Sequence, residues 1–251
     1  MLTDNIRANT SPLIVEVIGL AGSGKTTLSR ALHQQNEKML LGDYLNVRNV
    51  RYLPFLVKHG LLSLPTLLSQ PWNGRWFTRR EVAKIIYLTG WQHVLKLQSS
   101  HNNAVAISDQ GPIYELATLH AFGPGRLQSR HYERWWARMF NQWAHTIDLV
   151  IWLDAPEEIL IERIRSRDKW HPVKASHAQE MRDYLLRYQS AYEHVISELS
   201  AIRELQVLRF NTDCQALEEI TSQVLHAIDP EHIFSACLVT GKDASSAECA
   251  P

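Results

Sequence analysis

The stretch Leu13–Thr27, LIVEVIGLAGSGKTT, decides how this chain folds. Its first part, 13–18, is rich in branched apolar residues, which is typical of a buried strand. GLAGSGKT at 19–26 follows and fits the pattern G-x-x-x-x-G-K-[ST] at every position. In that pattern the glycines let backbone N–H groups turn inward around phosphate oxygens. The stretch therefore predicts a strand, a phosphate-binding loop and a helix in succession.

Each residue type in this loop suits the tail of a nucleoside triphosphate. The helix that begins near Lys25 points the positive end of its dipole at the same anion. Lys25 can reach the β- and γ-phosphates, and the hydroxyl of Thr26 can bind Mg²⁺. A glycine-rich structural turn is the alternative, but it does not require the Lys-Thr pair. The residues that we expect to contact the nucleotide are Gly19, Leu20, Ala21, Gly22, Ser23, Gly24, Lys25, Thr26 and Thr27.

Composition limits the classes of partner. The 251 residues contain 26 Lys and Arg against 26 Asp and Glu, so no net charge attracts nucleic acid or an anionic membrane. The first residues show no signal-peptide pattern, and no uncharged apolar run reaches transmembrane length. The three cysteines predict no disulfide framework. We therefore expect a cytoplasmic protein without nucleic-acid or membrane partners.

Four more apolar segments read as strands, and helical patterns separate them. The further strands are predicted at 37–41, 104–108, 148–153 and 206–210. This alternation predicts an α/β, three-layer P-loop NTPase fold: a five-stranded parallel sheet with helices on both faces and right-handed crossovers. We expect one domain over 1–230 and a disordered tail over 231–251.

Residues 45–76 give a less regular pattern. Pro54 and Pro65 interrupt apolar segments, which predicts short helical pieces instead of one helix. A capping box, Thr78 to Glu81, then begins a long helix. We interpret residues 45–100 as a helical cap that holds the acceptor.

The helix predicted at 129–145 carries a stripe of large side chains at helical spacing. Its members are Tyr132, Trp135, Trp136, Met139, Phe140 and Trp143. Such a stripe can be a ligand platform, but the spacing favours a buried core face. If the face were exposed, it could join two copies in a homodimer.

The order of these features resembles the P-loop kinases of nucleosides and nucleotides, the group of thymidylate kinase and the deoxynucleoside kinases. The resemblance is carried by the loop at 19–26, by Asp109 at the end of a strand, and by VIWLDAP at 150–156 before a helix with Arg163-x-x-x-Arg167. As architecture it covers residues 13–230. It implies ATP- and Mg²⁺-dependent phosphoryl transfer to a small-molecule acceptor: a nucleoside, a nucleotide or another hydroxyl compound.

The resemblance also implies roles for two carboxylates. Asp109 follows a strand next to the P-loop strand, so it would hold Mg²⁺ directly or through water. Asp43, at the end of the second strand, would be the general base for the acceptor hydroxyl. Its surroundings, Gly-Asp-Tyr, depart from the Glu-Pro that is usual in the family.

Arg163 and Arg167 resemble the lid arginines of these kinases. They are expected one turn apart on one helix face, in a lid over 157–175, where they would close over the phosphates and stabilise the transferring group. Arg165, Lys169 and His171 would add positive charge.

The acceptor side departs most from the family. Asp109 is followed by Gln110, where these kinases normally have an arginine that contacts the acceptor or its phosphate. The departure favours an uncharged acceptor, or one held by Arg79 or Arg80. The adenine pocket would lie near 211–213.

Two other classes use the same loop. A GTPase-like regulatory protein should carry Asp-x-x-Gly after the third strand and Asn-Lys-x-Asp to read guanine, and neither is present. A P-loop sulfotransferase would not need Mg²⁺, so dependence on the metal separates it from a kinase. The intact Lys25-Thr26 pair argues against a degenerate protein that binds without turnover.

Overall fold

The computed structural model describes residues 13–35, 39–41, 52–68, 75–100, 105–168 and 170–228. The expectations for Asp43, for Lys169 and for the tail at 231–251 concern residues outside this set. In chain order the elements are β1 Ile14–Gly19, α1 Lys25–Gln35, β2 Met39–Leu41, α2 Leu53–Leu68, α3 Arg79–Ser100, β3 Val105–Ser108, α4 Pro112–Phe122, α5 Glu133–Ala144, β4 Leu149–Asp154, α6 Glu157–Ser166, α7 Ala178–Ile202, β5 Gln206–Asn211 and α8 Leu217–Ile228.

The strands of the described chain form one sheet in the order β2-β3-β1-β4-β5, and every pair is parallel. β1 pairs with β3 on one side and with β4 on the other. Because the strands run the same way, the loops that follow β1 and β3 meet at one edge of the sheet, where ligands bind in open α/β folds. The predicted α/β fold with a parallel sheet is confirmed.

Side chains of β1 alternate between two hydrophobic clusters. Val15 and Val17 pack with apolar residues of α1 and α8. Ile14 and Ile18 belong to the larger cluster, which contains residues of α3, α4, α5 and α7. This period of two is the property of a strand that is covered by helices on both of its faces.

The aromatic stripe before and along α5 lies in the larger cluster. Tyr132, Trp135, Phe140 and Trp143 are buried, and the indole N–H of Trp143 donates to the Leu88 carbonyl at 3.1 Å. The prediction of a core face is confirmed. A face that is buried within the chain is not available to join two copies.

Helix α2 corrects the prediction of short helical pieces. It is continuous over Leu53–Leu68 and contains both prolines. Pro54 lies in the first turn, where backbone N–H groups have no partner within the helix in any case. Pro65 lies in the last turn, so only a short end of the helix follows the missing hydrogen bond.

The capping box at the start of α3 is confirmed. The backbone N–H of Thr78 donates to Glu81 Oε2 at 2.7 Å, and the N–H of Glu81 donates to Thr78 Oγ1 at 3.3 Å. Arg75 adds two hydrogen bonds to the same carboxylate. The box therefore fixes where α3 begins.

Two further observations bear on the expectations from composition. None of the helices in the described chain is long and apolar enough to span a bilayer. Cys214 is disulfide-bonded, which the cysteine count did not predict.

Candidate active site

Three glycines shape the loop between β1 and α1. Gly19, Gly22 and Gly24 have φ angles of +143°, +91° and +91°, which side-chain-bearing residues rarely adopt. A Cβ atom on Gly19 would also lie 2.2 Å from the carbonyl oxygen of Leu153 in β4. The loop can therefore approach the sheet closely only because glycine occupies this position.

Lys25 lies in the first turn of α1. Its Nζ donates to the carbonyl oxygens of Gly19 and Leu20 at 2.7 and 2.8 Å. Burial lowers the pKa of Lys25 to about 8; the carboxylate of Asp109 opposes this shift and Arg167 adds to it. A polyphosphate beside the ammonium would favour its charged form.

Thr26 and Asp109 meet where the loop faces the end of β3. The Thr26 hydroxyl donates to Asp109 Oδ2 at 2.7 Å. A hydroxyl and a carboxylate at this distance are the oxygen donors that Mg²⁺ prefers, so the pair fits this metal. The described residues contain no cluster of three or more His, Cys, Asp or Glu side chains that could hold a metal ion. An ion at this pair would therefore need phosphate or water oxygens to complete its coordination.

These residues line one cavity of about 410 Å³. Its lining comprises Gly19, Leu20, Ala21, Gly22, Gly24, Lys25, Thr26, Thr27, Arg30, Asp109, Gln110, Tyr114, Arg163, Arg167, His171, Tyr184, Tyr188 and Tyr192. Ser23 is the one predicted loop residue outside this lining, because its side chain is fully buried. Four cationic side chains against a single carboxylate make the cavity suited to a polyanion.

Arg163 and Arg167, which were predicted to be lid arginines, both line this cavity but differ in position. Arg163 lies in α6 and donates to Thr212 Oγ1 at 2.9 Å, to the Thr212 carbonyl at 3.1 Å and to the Gly22 carbonyl at 3.4 Å. Arg167 follows the end of α6 in extended conformation, so the prediction that both share one helix face is wrong. Its Nε is buried without a hydrogen-bond partner among the described residues.

His171 also lines the cavity, but it adds no positive charge near neutral pH. Burial, together with the nearby cations Arg167 and Lys25, lowers the pKa of its imidazole to about 4. The expectation of a charged histidine in the lid is therefore wrong. A neutral ring can still exchange hydrogen bonds with a ligand.

A second cavity, of about 310 Å³, adjoins the loop on the side of β5. Leu153, Thr212, Gln215 and Leu217 contribute to its lining. This cavity lies near 211–213, where the adenine pocket was expected, and the binding of adenine there stays a prediction. Arg163 lines both cavities, so it stands between the two spaces.

Sequence reasoning missed a wall of tyrosines. Tyr114 of α4 lines the first cavity together with Tyr184, Tyr188 and Tyr192 of α7. The rings of Tyr114 and Tyr188 are stacked, with centroids 6.2 Å apart and an angle of 7° between their planes. The signal was available: three tyrosines four residues apart give one helix face polar tips as well as apolar rings.

The acceptor cap predicted over 45–100 contributes nothing to this lining among its described residues, 52–68 and 75–100. Arg79 and Arg80, proposed to hold the acceptor, are exposed and lie outside the lining. Gln110 is in it, as the resemblance implied for this position.

Glu16 is a second residue that sequence reasoning missed. It is fully buried in β1, and its two carboxylate oxygens accept the N–H groups of Ile113 and Tyr114 at 2.9 Å each. The side chain thereby caps α4, the helix that follows Asp109. A lone carboxylate in an apolar strand was the signal that could have shown it.

We expect the stability of the protein to report the ionisation of Glu16. Burial raises the pKa of Glu16 from 4.5 to about 8, and the N–H groups of Ile113 and Tyr114 only partly oppose the shift. The stabilisation that comes from protonated Glu16 is complete below the pKa of this residue in the unfolded chain, 4.5. It is lost as the pH rises through the pKa of Glu16 in the folded protein, about 8. Relative to a Glu16→Gln variant, the free energy of unfolding should fall from pH 5 to 8, by up to about 1.4 kcal/mol per pH unit. Parallel pH profiles of the two proteins in urea unfolding would contradict this.

Comparison with known proteins supports the fold but offers no sequence relative. No family model matches the sequence, and no curated protein is significantly similar to it. Among solved structures, a deoxyadenosine kinase from M. mycoides superposes with a TM-score of 0.50 at 13% identity, over 86% of this chain and 99% of that chain. Thymidylate kinase from Candida albicans superposes with a TM-score of 0.50 at 15% identity, over 88% of this chain and 93% of that chain.

The protein therefore has the fold of the nucleoside and nucleotide kinases. This is the class that the loop, Asp109 and the lid arginines indicated in the sequence.

Proposed function

We propose that this protein is an ATP- and Mg²⁺-dependent kinase that transfers a phosphoryl group to the hydroxyl of a small molecule, and that its fold is the three-layer P-loop fold. The observation that carries the proposal is the convergence of Lys25, Thr26, Asp109 and Arg167 on one cavity beside the glycine loop. Phosphoryl transfer depends on placement and on charge neutralisation, and these residues supply both.

The loop and Lys25 would hold the triphosphate. Loop residues and the first residues of α1 line the cavity, and their backbone N–H groups would donate to the phosphate oxygens. Lys25, which bonds two loop carbonyls, would exchange them for β- and γ-phosphate oxygens. The positive charge of Lys25 would then stabilise the negative charge that develops on the leaving phosphate.

Thr26 and Asp109 would hold Mg²⁺. When bound there, the ion neutralises phosphate oxygens of the nucleotide. The two side chains already meet at 2.7 Å, so little rearrangement is needed to present both oxygens. A sulfotransferase has no use for such a pair, which favours the kinase.

In the proposed reaction the acceptor oxygen attacks the γ-phosphorus, and the bond from that atom to the β–γ bridging oxygen breaks. The hydroxyl proton passes to a base, and ADP leaves. Asp43 remains our proposed base, but it lies outside the described residues. Arg167 would stabilise the charge on the moving group.

The tyrosine wall favours an acceptor with a flat or apolar body. Tyr114 and Tyr188 contribute aromatic surface to the lining, and Gln110 brings an uncharged amide to the same cavity. This composition supports an acceptor without a phosphate group of its own.

The test is acceptor-stimulated release of ADP. Purified protein with ATP and Mg²⁺ is assayed against panels of nucleosides, nucleotides and sugars. We expect release to rise strongly with one uncharged hydroxyl class. ATP hydrolysis that no acceptor stimulates, but that a protein partner does, would favour the regulatory alternative.

We predict that Asp109→Asn weakens the use of Mg²⁺. An amide carries no negative charge, so the Mg²⁺ concentration for half-maximal rate should rise by about 10- to 100-fold. The measurement is the rate as a function of Mg²⁺ at saturating ATP. Asp183→Asn, an exposed change on α7, serves as the control and should leave the curve unmoved. A coincident curve for Asp109→Asn would remove this residue from the metal site.

A further inference from the structure

The tyrosine wall of the first cavity carries a cluster of hydroxyl groups. Tyr188 Oη lies 3.3 Å from Oγ1 of Thr118, a residue of α4 outside the cavity lining. The side chains of Tyr114 and Tyr184 are also hydrogen-bonded to that of Tyr188. We call these four residues the hydroxyl cluster. The three tyrosines line the cavity, so a ligand that binds against the wall lies next to the cluster.

The hydrogen of Thr118 fixes the direction of these hydrogen bonds. Thr118 Oγ1 donates to the carbonyl oxygen of Tyr114 at 2.7 Å. A hydroxyl has one hydrogen to donate, so Thr118 can only accept from Tyr188. Because Tyr188 uses its own hydrogen on Thr118, the hydroxyls of Tyr114 and Tyr184 must donate to Tyr188. The phenolic hydrogens are thus all used within the cluster, and lone pairs are what remains for a ligand.

These phenolic hydrogens stay in place near neutral pH. Burial raises the pKa of Tyr114, Tyr184 and Tyr188 above the ordinary value of a phenol. A phenol with a raised pKa keeps its hydrogen at every pH at which the protein would be assayed. The hydroxyl cluster therefore keeps one pattern of donors and acceptors.

We propose that the hydroxyl cluster makes this site select acceptors whose flat ring carries an exocyclic amino group over the same rings with an oxo group. An amino N–H can donate to a phenolic lone pair, whereas a carbonyl oxygen would face that lone pair with its own. Thr118 is then a positioning residue, because it sets the direction of the tyrosine hydrogens without touching the acceptor. The proposal takes the wall as part of the acceptor site and in this respect rests on the proposed function.

Two uncharged polar side chains that line the same cavity do not favour either kind of acceptor. The amide of Gln110 can donate through its nitrogen or accept through its oxygen. The neutral ring of His171 likewise has one donor and one acceptor nitrogen. Among these groups, the hydroxyl cluster is the one whose hydrogen bonds have a fixed direction, so selection between amino and oxo groups falls to it.

Calorimetric binding without ATP tests the proposal on two matched pairs, cytidine against uridine and adenosine against inosine. For the wild type, the amino member of at least one pair should bind about 10- to 100-fold more tightly than the oxo member. Thr118→Val keeps the shape of the side chain but frees the hydrogen of Tyr188, so this ratio should fall below about threefold. Thr118→Ser is the matched control: it retains the hydroxyl and should keep the ratio of the wild type.

Tyr188→Phe provides a second break in the hydroxyl cluster. It removes the oxygen that accepts from Tyr114 and Tyr184, so their hydrogens can turn to the ligand and the ratio should fall as well. Circular dichroism and thermal unfolding verify that each variant is folded. If Thr118 had only a structural role, Thr118→Val would weaken both members of a pair equally and leave the ratio unchanged, which would overturn the proposal.

Three other results would also overturn it: equal binding of both members of each pair by the wild type, loss of the ratio in Thr118→Ser, or failure of all four compounds to bind at millimolar concentration. Failure of the proposed function looks different. A protein that binds the amino members selectively but releases no ADP with them would contradict the kinase and leave the selectivity standing. A protein that phosphorylates both members of each pair with equal kcat/KM would support the kinase and overturn the selectivity.

Discussion

Lys25→Ala is expected to lower kcat for phosphoryl transfer by about 10³-fold, because the variant loses the only ammonium group placed inside the loop. The change also leaves the carbonyls of Gly19 and Leu20 without their present donor. Water can replace that donor at the open cavity, so the fold should persist. The measurement is steady-state ADP release with the acceptor that the screen identifies.

Two comparisons make the Lys25 result specific. Lys58→Ala removes an exposed ammonium on α2 and should leave kcat unchanged. Thermal unfolding of the Lys25→Ala variant shows whether a lower kcat comes from the loss of the charge or from the loss of the fold. If ATP consumption persists undiminished in a folded Lys25→Ala protein, the loop does not act in catalysis.

Arg167→Ala is expected to lower kcat by about 10²- to 10³-fold with a small change in the KM for ATP. The Nε of Arg167 has no hydrogen-bond partner among the described residues. The positive charge of Arg167 helps to lower the pKa of Lys25, so the two cations act on the same part of the cavity. Such a group can strengthen its contact as charge moves onto the transferring phosphoryl. An interaction made chiefly in the transition state appears in kcat.

Arg163→Ala should give the opposite pattern, which revises the role in stabilising the transferring group that the sequence led us to expect for Arg163. Arg163 is held by Thr212 and by the carbonyl of Gly22, so its loss should loosen the loop and raise the KM for ATP more than it lowers kcat. Arg165→Ala is the control, since Arg165 is exposed and does not line the cavity. Identical kinetic patterns for the Arg163 and Arg167 variants would contradict the separate roles.

The sequence predicted the parts of the site that come from one contiguous segment or from the order of the parallel strands. The loop at 19–26 carries its glycines, Lys25 and Thr26 in a fixed local order, and a strand precedes it. Asp109 followed from topology, because a residue just after a neighbouring parallel strand must lie at the same edge.

The parts that the sequence did not predict depend on tertiary packing. Tyr114 is distant in sequence from Tyr188. The four-residue spacing of the tyrosines in α7 is, taken alone, also typical of an ordinary core face. Glu16 interrupts an apolar strand, but only the position of α4 shows what it binds. Arg167 was expected in a helix because α6 was extended by pattern one residue too far.

The cap illustrates how packing overrides local signals. Two prolines predicted breaks, yet α2 is continuous because one proline lies in the first turn and the other in the last. The same helix inverts the usual arrangement and exposes its leucines. No rule of amphipathicity that is applied to α2 alone would have predicted this.

The central claim is that the loop at 19–26 holds the tail of ATP. A crystal structure with a non-hydrolysable ATP analogue and Mg²⁺ tests it most directly. We predict phosphate oxygens within hydrogen-bond distance of the loop N–H groups, with Lys25 Nζ moved from the carbonyls of Gly19 and Leu20 to the phosphates. A saturating analogue that leaves the loop empty, with Lys25 still bonded to those carbonyls, would contradict the claim.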